Sequence, residues 1–325
     1  MTTARGANRP GPQASAHHPF DRSLLVTRRN RAAPQASAHD FLLHRASDDI
    51  AERLAIIQRN FPVAVVLGAH HGVLGRRLRA LPNVGLVIET ETSTGLLARC
   101  DGPRLLADEE VLPFADGSLD LVASALTLHH VNDLPGTLAQ IRRALRPDGL
   151  FIGAMLGGQT LSELRTVMIA AESEGEDGAS PHVAPFADVR DAGALLQRAG
   201  FALPVADSDT VAVTYESALS LMRDLRGMGA TNVLTSRRRT PMRRATLLRA
   251  CELYQDRFSD SHGRVTATFE VITMTAWAPH SSQQQPLRPG SATARLADAL
   301  RTPELPAGEA VASPEDKDED TGGAR

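Results

Sequence analysis

The sequence predicts an α/β protein built on a doubly wound, mostly parallel sheet with added helices. Three observations lead there. From about Phe20 to Trp277, apolar runs of strand length alternate with segments of helical period, the pattern of a parallel sheet covered on both faces. The first apolar run passes through a glycine-bounded turn, Gly68-Ala69-His70-His71-Gly72, into a helix. A content of 42% hydrophobic and 22% charged side chains over 325 residues is ordinary globular usage, enough to bury a core.

The elements follow in order. Ile50, Leu54 and Ile57 recur at helical spacing over 47–59, and Phe61-Pro62 ends that helix. A strand at 63–67, the turn, a helix over 73–80 and a second strand at 84–88 come next. Leu105-Leu106-Ala107 reads as a third strand, 119–125 as a fourth and 150–155 as a fifth, with Arg146-Pro147-Asp148-Gly149 supplying the turn before it. Beyond lie helices near 161–171, 189–198, 218–226 and 241–258, and strand-like runs at 210–214 and 266–275. Residues 1–19, rich in Pro, Gly, Ala and Ser without periodicity, are expected to be a disordered tail. Residues 20–278 form the expected domain, and 279–325, with the acidic run from Glu315 to Asp320, a flexible acidic tail.

Charge and cysteine content exclude several roles. With 35 basic against 38 acidic side chains the net charge is -3, which argues against a dedicated nucleic-acid binder. Lys317 is the only lysine, so the arginine run Arg237-Arg238-Arg239 with Arg243-Arg244 is read as a solvated helix end in an arginine-biased chain. Cys100 and Cys251 have neither metal-pair spacing nor the number for a disulfide framework, which suits a reducing cytoplasm. No run of 18 apolar residues exists, so no transmembrane segment is expected. The first 19 residues lack acids and carry Arg, Ala and Ser, which leaves the mitochondrial matrix as the alternative location.

In a doubly wound sheet, ligands bind beyond the carboxyl ends of the strands where the strand order reverses, at a glycine-rich turn and a carboxylate ending the second strand. Here these are Gly68 to Gly72, and Glu89 or Glu91. The segment Ala107-Asp108-Glu109-Glu110-Val111-Leu112-Pro113-Phe114, followed by Asp116 to Val122, is similar to the adenine-binding segment and fourth strand of S-adenosylmethionine-dependent class I methyltransferases. An aspartate at a strand end accepts an adenine amino proton while apolar neighbours cover the ring.

Further segments narrow the resemblance. Thr127 to Gly136 (TLHHVNDLPG), Leu156 to Arg165 (LGGQTLSELR), Ser180 to Phe186 (SPHVAPF) and Met222 to Asn232 (MRDLRGMGATN) resemble the methyltransferase-like assembly factors of respiratory complex I, whose animal member is regarded as a protein arginine hydroxylase. Phe20-Asp21-Arg22, Arg28 to Ala32, Ala267 to Val271 and Trp277 fit the same family, over roughly 20–292. Malonyl-carrier-protein methyltransferases share the core without the Gly157 to Arg165 and Asp224 to Asn232 segments. The resemblance implies an enzyme, S-adenosylmethionine held by Gly68, His70, Gly72, Glu91, Asp108, Glu109 and His129, and a protein partner such as a complex I subunit. It leaves arginine hydroxylation, methyl transfer and a scaffold with a degenerate pocket as alternatives.

The chain departs from the family pattern at three places. Val66 replaces an acidic residue, and His70 stands where a glycine would let backbone approach the methionine moiety. His130 replaces a tryptophan, and Glu91-Thr92-Ser93 replaces an Asp-x-Ser, which favours Glu91 over Glu89 as the ribose ligand. His70, His71, His129 and His130 converge on one crevice, yet neighbours on a strand point to opposite faces, so no metal site is assigned. Gly157 and Gly158 with Glu163, Arg165 and Asp224 are the candidate substrate residues, the two carboxylates facing a guanidinium across one cavity under a Gly227-Met228-Gly229 loop. A capping box formed by Thr160 and Glu163 is the structural alternative.

Overall fold

The computed structural model describes residues 18–175, 178–284, 291 and 295–302. The expected N-terminal tail, except His18 and Pro19, and the whole acidic run from Glu315 lie outside the described residues. The chain divides between Ser281 and Ser282 into two units. The described part of the second contains one short helix, Leu296–Leu300.

Seven strands form one sheet in the first unit: β1 (Phe61–Leu67), β2 (Val84–Glu91), β3 (Arg104–Leu106), β4 (Leu119–Ala125), β5 (Leu145–Leu156), β6 (Ala202–Tyr215) and β7 (Val265–Trp277). The order is β3-β2-β1-β4-β5-β7-β6. β1 to β5 run parallel, and β7 enters antiparallel between β5 and β6. Alternation along β1 shows why the sheet is covered twice. Ala64 and Val66 join one core cluster and Val65 and Leu67 the other, so both strand faces are buried and the run reads as continuously apolar.

The first face carries α2 (Phe41–Ala55) and α3 (Val73–Arg79), whose Ile50, Leu54, Leu74 and Leu78 pack on the strands. The second carries α5 (Leu134–Ala144) and α7 (Val189–Arg198) through Leu138, Ile141 and Leu196. A third cluster joins α6 (Ser162–Gly175), α8 (Ala218–Gly227) and α9 (Arg244–Phe258) to Val265, Ala267 and Phe269 of β7. Among the described residues, no helix is long and apolar enough to cross a membrane.

Three differences from expectation have local causes. The strand expected at 210–214 extends over Ala202–Tyr215, because pairing with β7 holds its polar residues Asp207 and Asp209 in the ladder. The turn expected at 146–149 is absorbed into an irregular stretch of β5, with Asp148 at φ 66. Most consequential, residues given no element form α1 (Arg22–Ala32) and a 3-10 turn, Ala33–Ala38. Asp21 caps this helix by accepting from Leu24 N at 3.0 Å. Its buried residues are Leu25, Arg29 and Ala32, so a charged side chain sits in the inward stripe and breaks the apolar periodicity.

Candidate functional site

Strand order reverses between β1 and β4, and the crevice beyond their carboxyl ends is where this topology places a ligand. Gly68 adopts φ 63 and a Cβ there would collide with Thr127, so the tight turn requires glycine. His70 follows at φ 52. Its backbone N–H donates to Glu91 Oε2 at 3.0 Å, and its Nε2 lies 3.1 Å from both Ala125 O and Thr127 Oγ1. The imidazole therefore ties the end of β1 to the end of β4. Burial, reinforced by the Arg29 charge, lowers its pKa to about 4.

Glu91 ends β2 at 0% exposure. Its Oε1 accepts from Arg29 at 3.1 Å and from the amides of Thr92 and Ser93, both at 3.0 Å. Burial pushes the carboxyl up, but Arg29, followed by His70 and the amides of Ser93 and His70, outweighs it and holds the group below the usual range. Glu89 turns away to Arg79 on α3, at 2.9 Å. Asp108 accepts from Arg22 at 2.7 Å and from its own turn through Glu110 N at 2.9 Å. Buried Glu109 pairs with Arg22 and stands 3.7 Å from Arg29. Burial raises its carboxyl despite these two cations.

Each carboxylate expected to hold the cofactor is thus gripped by an arginine of α1. The adjoining cavity is lined by Arg29, Asp40, His70, His71, His129 and His130 among apolar side chains, and Glu91, Asp108 and Glu109 do not reach it. In these positions the residues do not fit an adenosine. A ribose diol needs free acceptors, and no water-sized group reaches Glu91. His129 packs against His130 with ring centroids 4.2 Å apart and planes tilted by 48°, and its Nδ1 accepts from Leu156 N at 3.3 Å. Burial lowers His129 to about 3 and holds His130 well below its ordinary value. Among the described residues, no group of three or more His, Cys, Asp or Glu side chains is placed to hold a metal ion.

The residues expected at the substrate have other partners. Glu163 accepts from Thr268 N at 3.1 Å and from the Thr268 hydroxyl, while Thr160 Oγ1 bonds both backbone groups of Glu270 at 3.1 Å. The pair pins β7 instead of forming a capping box. Arg165 points its guanidinium at the carbonyls of Gly158, Thr160 and Ala184. Gly157 leaves room for Glu270, which accepts from Gln159 N at 2.8 Å, and Gly158 faces the Phe186 and Ala187 carbonyls. Asp224 is taken by His39 Nδ1 at 2.5 Å and Tyr215 OH at 2.8 Å. Neither Glu163 nor Asp224 lines the cavity, so the two do not face one guanidinium there. Gly227 makes room for the His39 ring, and Gly229, at φ 74, packs on Arg29 and Ala32, so this loop closes on α1. Glu163→Ala is expected to lower stability by about 1–3 kcal/mol by orphaning the Thr268 donors, and Glu163→Gln by less, as thermal melting will show.

Sequence reasoning missed Arg22, Arg29, His39 and Asp40. The available signal is the Phe20 to Ala32 stretch, whose resemblance to the family marks it without assigning a role to its arginines. Asp40 accepts from His71 at 2.9 Å and is, among the described residues, the one carboxylate on the cavity wall.

A doubly wound sheet with this strand order and a crevice at the ends of β1, β2 and β4 defines the class I methyltransferase fold. The family described as methyltransferase domain matches residues 67–153. The Bacillus subtilis protein YcgJ superposes with a TM-score of 0.51 at 13% identity, covering 73% of this chain and 99% of that one. The rat protein named arginine-hydroxylase NDUFAF5, mitochondrial, is 41% identical, covering 87% of this chain and 84% of that protein. The human protein of the same name is 41% identical over 84% of this chain and 81% of its own. A malonyl-[acyl-carrier protein] O-methyltransferase of Laribacter hongkongensis is 35% identical over 83% of this chain and 94% of its own. The chain belongs to the NDUFAF5 arginine-hydroxylase family, within the methyltransferase superfamily of enzymes.

Proposed function

We propose that this chain modifies an arginine of a protein partner, a respiratory complex I subunit, by hydroxylation at the cavity beneath α1: one oxygen atom of dioxygen enters a C–H bond and the other leaves as water, with two electrons from an external reductant and two protons. The observation that carries the reading is the cavity's chemistry. Leu156, Leu161, Phe186 and Phe269 supply apolar walls for the methylene stem of an arginine, and Asp40, oriented by His71, is the carboxylate within reach of its head. The neighbouring His70, His129 and His130 are neutral at pH 7, and the cation on the same wall, Arg29, is compensated by its pair with Glu91. The match to arginine hydroxylases over most of the chain supports the same reading.

S-adenosylmethionine is the ligand the fold implies. Its binding in the crevice would require α1 to withdraw Arg22 and Arg29 from Asp108, Glu109 and Glu91. The deciding experiment is mass spectrometry of complex I subunits from wild-type cells and cells lacking this protein. An arginine heavier by one oxygen in wild type alone supports the proposal. A gain of one methylene marks methyl transfer instead, and identical masses mark a scaffold.

A further inference from the structure

The arginine run set aside in the sequence becomes part of a larger surface once the chain folds. On α1, Arg28 and Arg31 stand three residues apart and share a helix face, and Arg223 and Arg226 do the same on α8. The cleft between these helices is lined by all four. A second cleft shares Arg28 and Arg226 and continues past Arg237, Arg238 and Arg239. Three distant stretches of sequence thus converge on one cationic face. Its acids are few and committed: Asp21 accepts from Arg237 at 3.2 Å, and Glu172 holds His182 at 2.8 Å and lies 4.0 Å from Arg238. Arg31, Arg223, Arg226 and Arg239 are exposed and have no carboxylate partner among the described residues. The crowding is felt at Arg28, whose pKa is lowered by burial and then by Arg237 and Arg31.

We propose that this face, on α1, α8 and the Arg237–Arg239 segment, docks an acidic segment of the protein partner beside the cavity. The proposal rests on the reading that the partner is a protein. Position supports it, because Ala32 and His39 border both the cleft and the cavity, so a chain held in one enters the other directly. Guanidinium groups grip carboxylates through paired hydrogen bonds, and clefts hold a segment where a flat patch only attracts. Other anionic partners fit less well. Neither cleft has a Phe, Tyr or Trp on which a base could stack. None of the large exposed apolar side chains lines either cleft, as insertion into a lipid surface would need.

The test is fluorescence anisotropy of the full chain with a labelled oligoglutamate peptide, with phosphatidylglycerol vesicles and oligouridylate RNA as parallel probes. The peptide is expected to bind, and to weaken as ionic strength rises from about 0.05 M to about 0.3 M. The triple variant Arg31→Glu, Arg223→Glu, Arg239→Glu should weaken it by roughly tenfold or more while melting as the wild type does. The corresponding triple lysine variant keeps the charge but loses the paired hydrogen bonds, so it should weaken binding by less than about tenfold, a readout that stands even if the glutamate variant folds poorly. Absence of peptide binding, loss of binding in the lysine variant, or tighter binding of vesicles or RNA than of the peptide would overturn the proposal. None of these readouts requires an arginine to be modified, so failure of the enzymatic reading appears separately, in the subunit masses.

Discussion

Arg29→Ala is expected to bind S-adenosylmethionine at least about tenfold more tightly than the wild-type protein, measured by calorimetry. In the wild type, a ligand that uses Glu91 must first break a charge-assisted hydrogen bond, worth about 1.5–3 kcal/mol, between that carboxylate and Arg29. Removing the guanidinium removes that competitor and opens the space above β2. The same change leaves Glu91 and Glu109 buried with less compensation, and breaking such a pair costs about 3–5 kcal/mol. The variant should therefore melt lower and regain part of the difference when the cofactor is added. Tight binding by the wild type with no gain on substitution would show that α1 does not compete for the crevice. A variant that neither binds nor recovers would remove the cofactor from the proposed function.

Stability is expected to fall steeply as pH drops from about 6.5 toward 4. His70, His129 and His130 are buried and neutral in the fold, with His70 lowered to about 4, His129 to about 3 and His130 well below the ordinary value. In the unfolded chain each takes up its proton near pH 6.5. Between the folded and unfolded values the unfolded state binds more protons, so each histidine removes about 1.4 kcal/mol per pH unit as the pH falls. Their contribution is complete above about pH 6.5 and is lost progressively below it. Three such groups together reach a sizeable part of the total of about 5–15 kcal/mol typical of a folded domain. Denaturant titrations at about pH 7.5, 6 and 5 will read this slope directly. His129→Gln retains an acceptor for Leu156 N and should reduce the slope by about one proton per molecule. A midpoint that stays flat between about pH 7 and 5 would show that these rings are solvated or already protonated in the fold.

The sheet is legible in the sequence because β1, β4 and β5 are buried on both faces, which leaves short apolar runs at 63–67, 121–123 and 150–152. The turn from Gly68 to Gly72 carried its own signal as well, since a positive φ against Thr127 leaves glycine as the residue without strain. Glu91 is separable from Glu89 in the sequence by resemblance alone, and in the fold both are taken by arginines, Glu91 by Arg29 and Glu89 by Arg79. Thr160 and Glu163 are the instructive failure. Their spacing matches a local cap, but their partners, Glu270 and Thr268, arrive from a strand more than a hundred residues away.

The sequence by itself determined the architecture, the place of the crevice and the family, because these rest on strand periodicity, turn chemistry and motifs that are local in the chain. Only the tertiary structure decided what stands in the crevice. Arg29 carries no signal in the sequence beyond its place in a stretch resembling the family, whereas in the fold it is 3% exposed against Glu91. Asp40 had no motif at all until His71 and the cavity wall gave it a role. Both outcomes follow from one physical fact: a buried charge needs its partner brought from elsewhere in the fold, and spacing along the chain carries no record of that pairing.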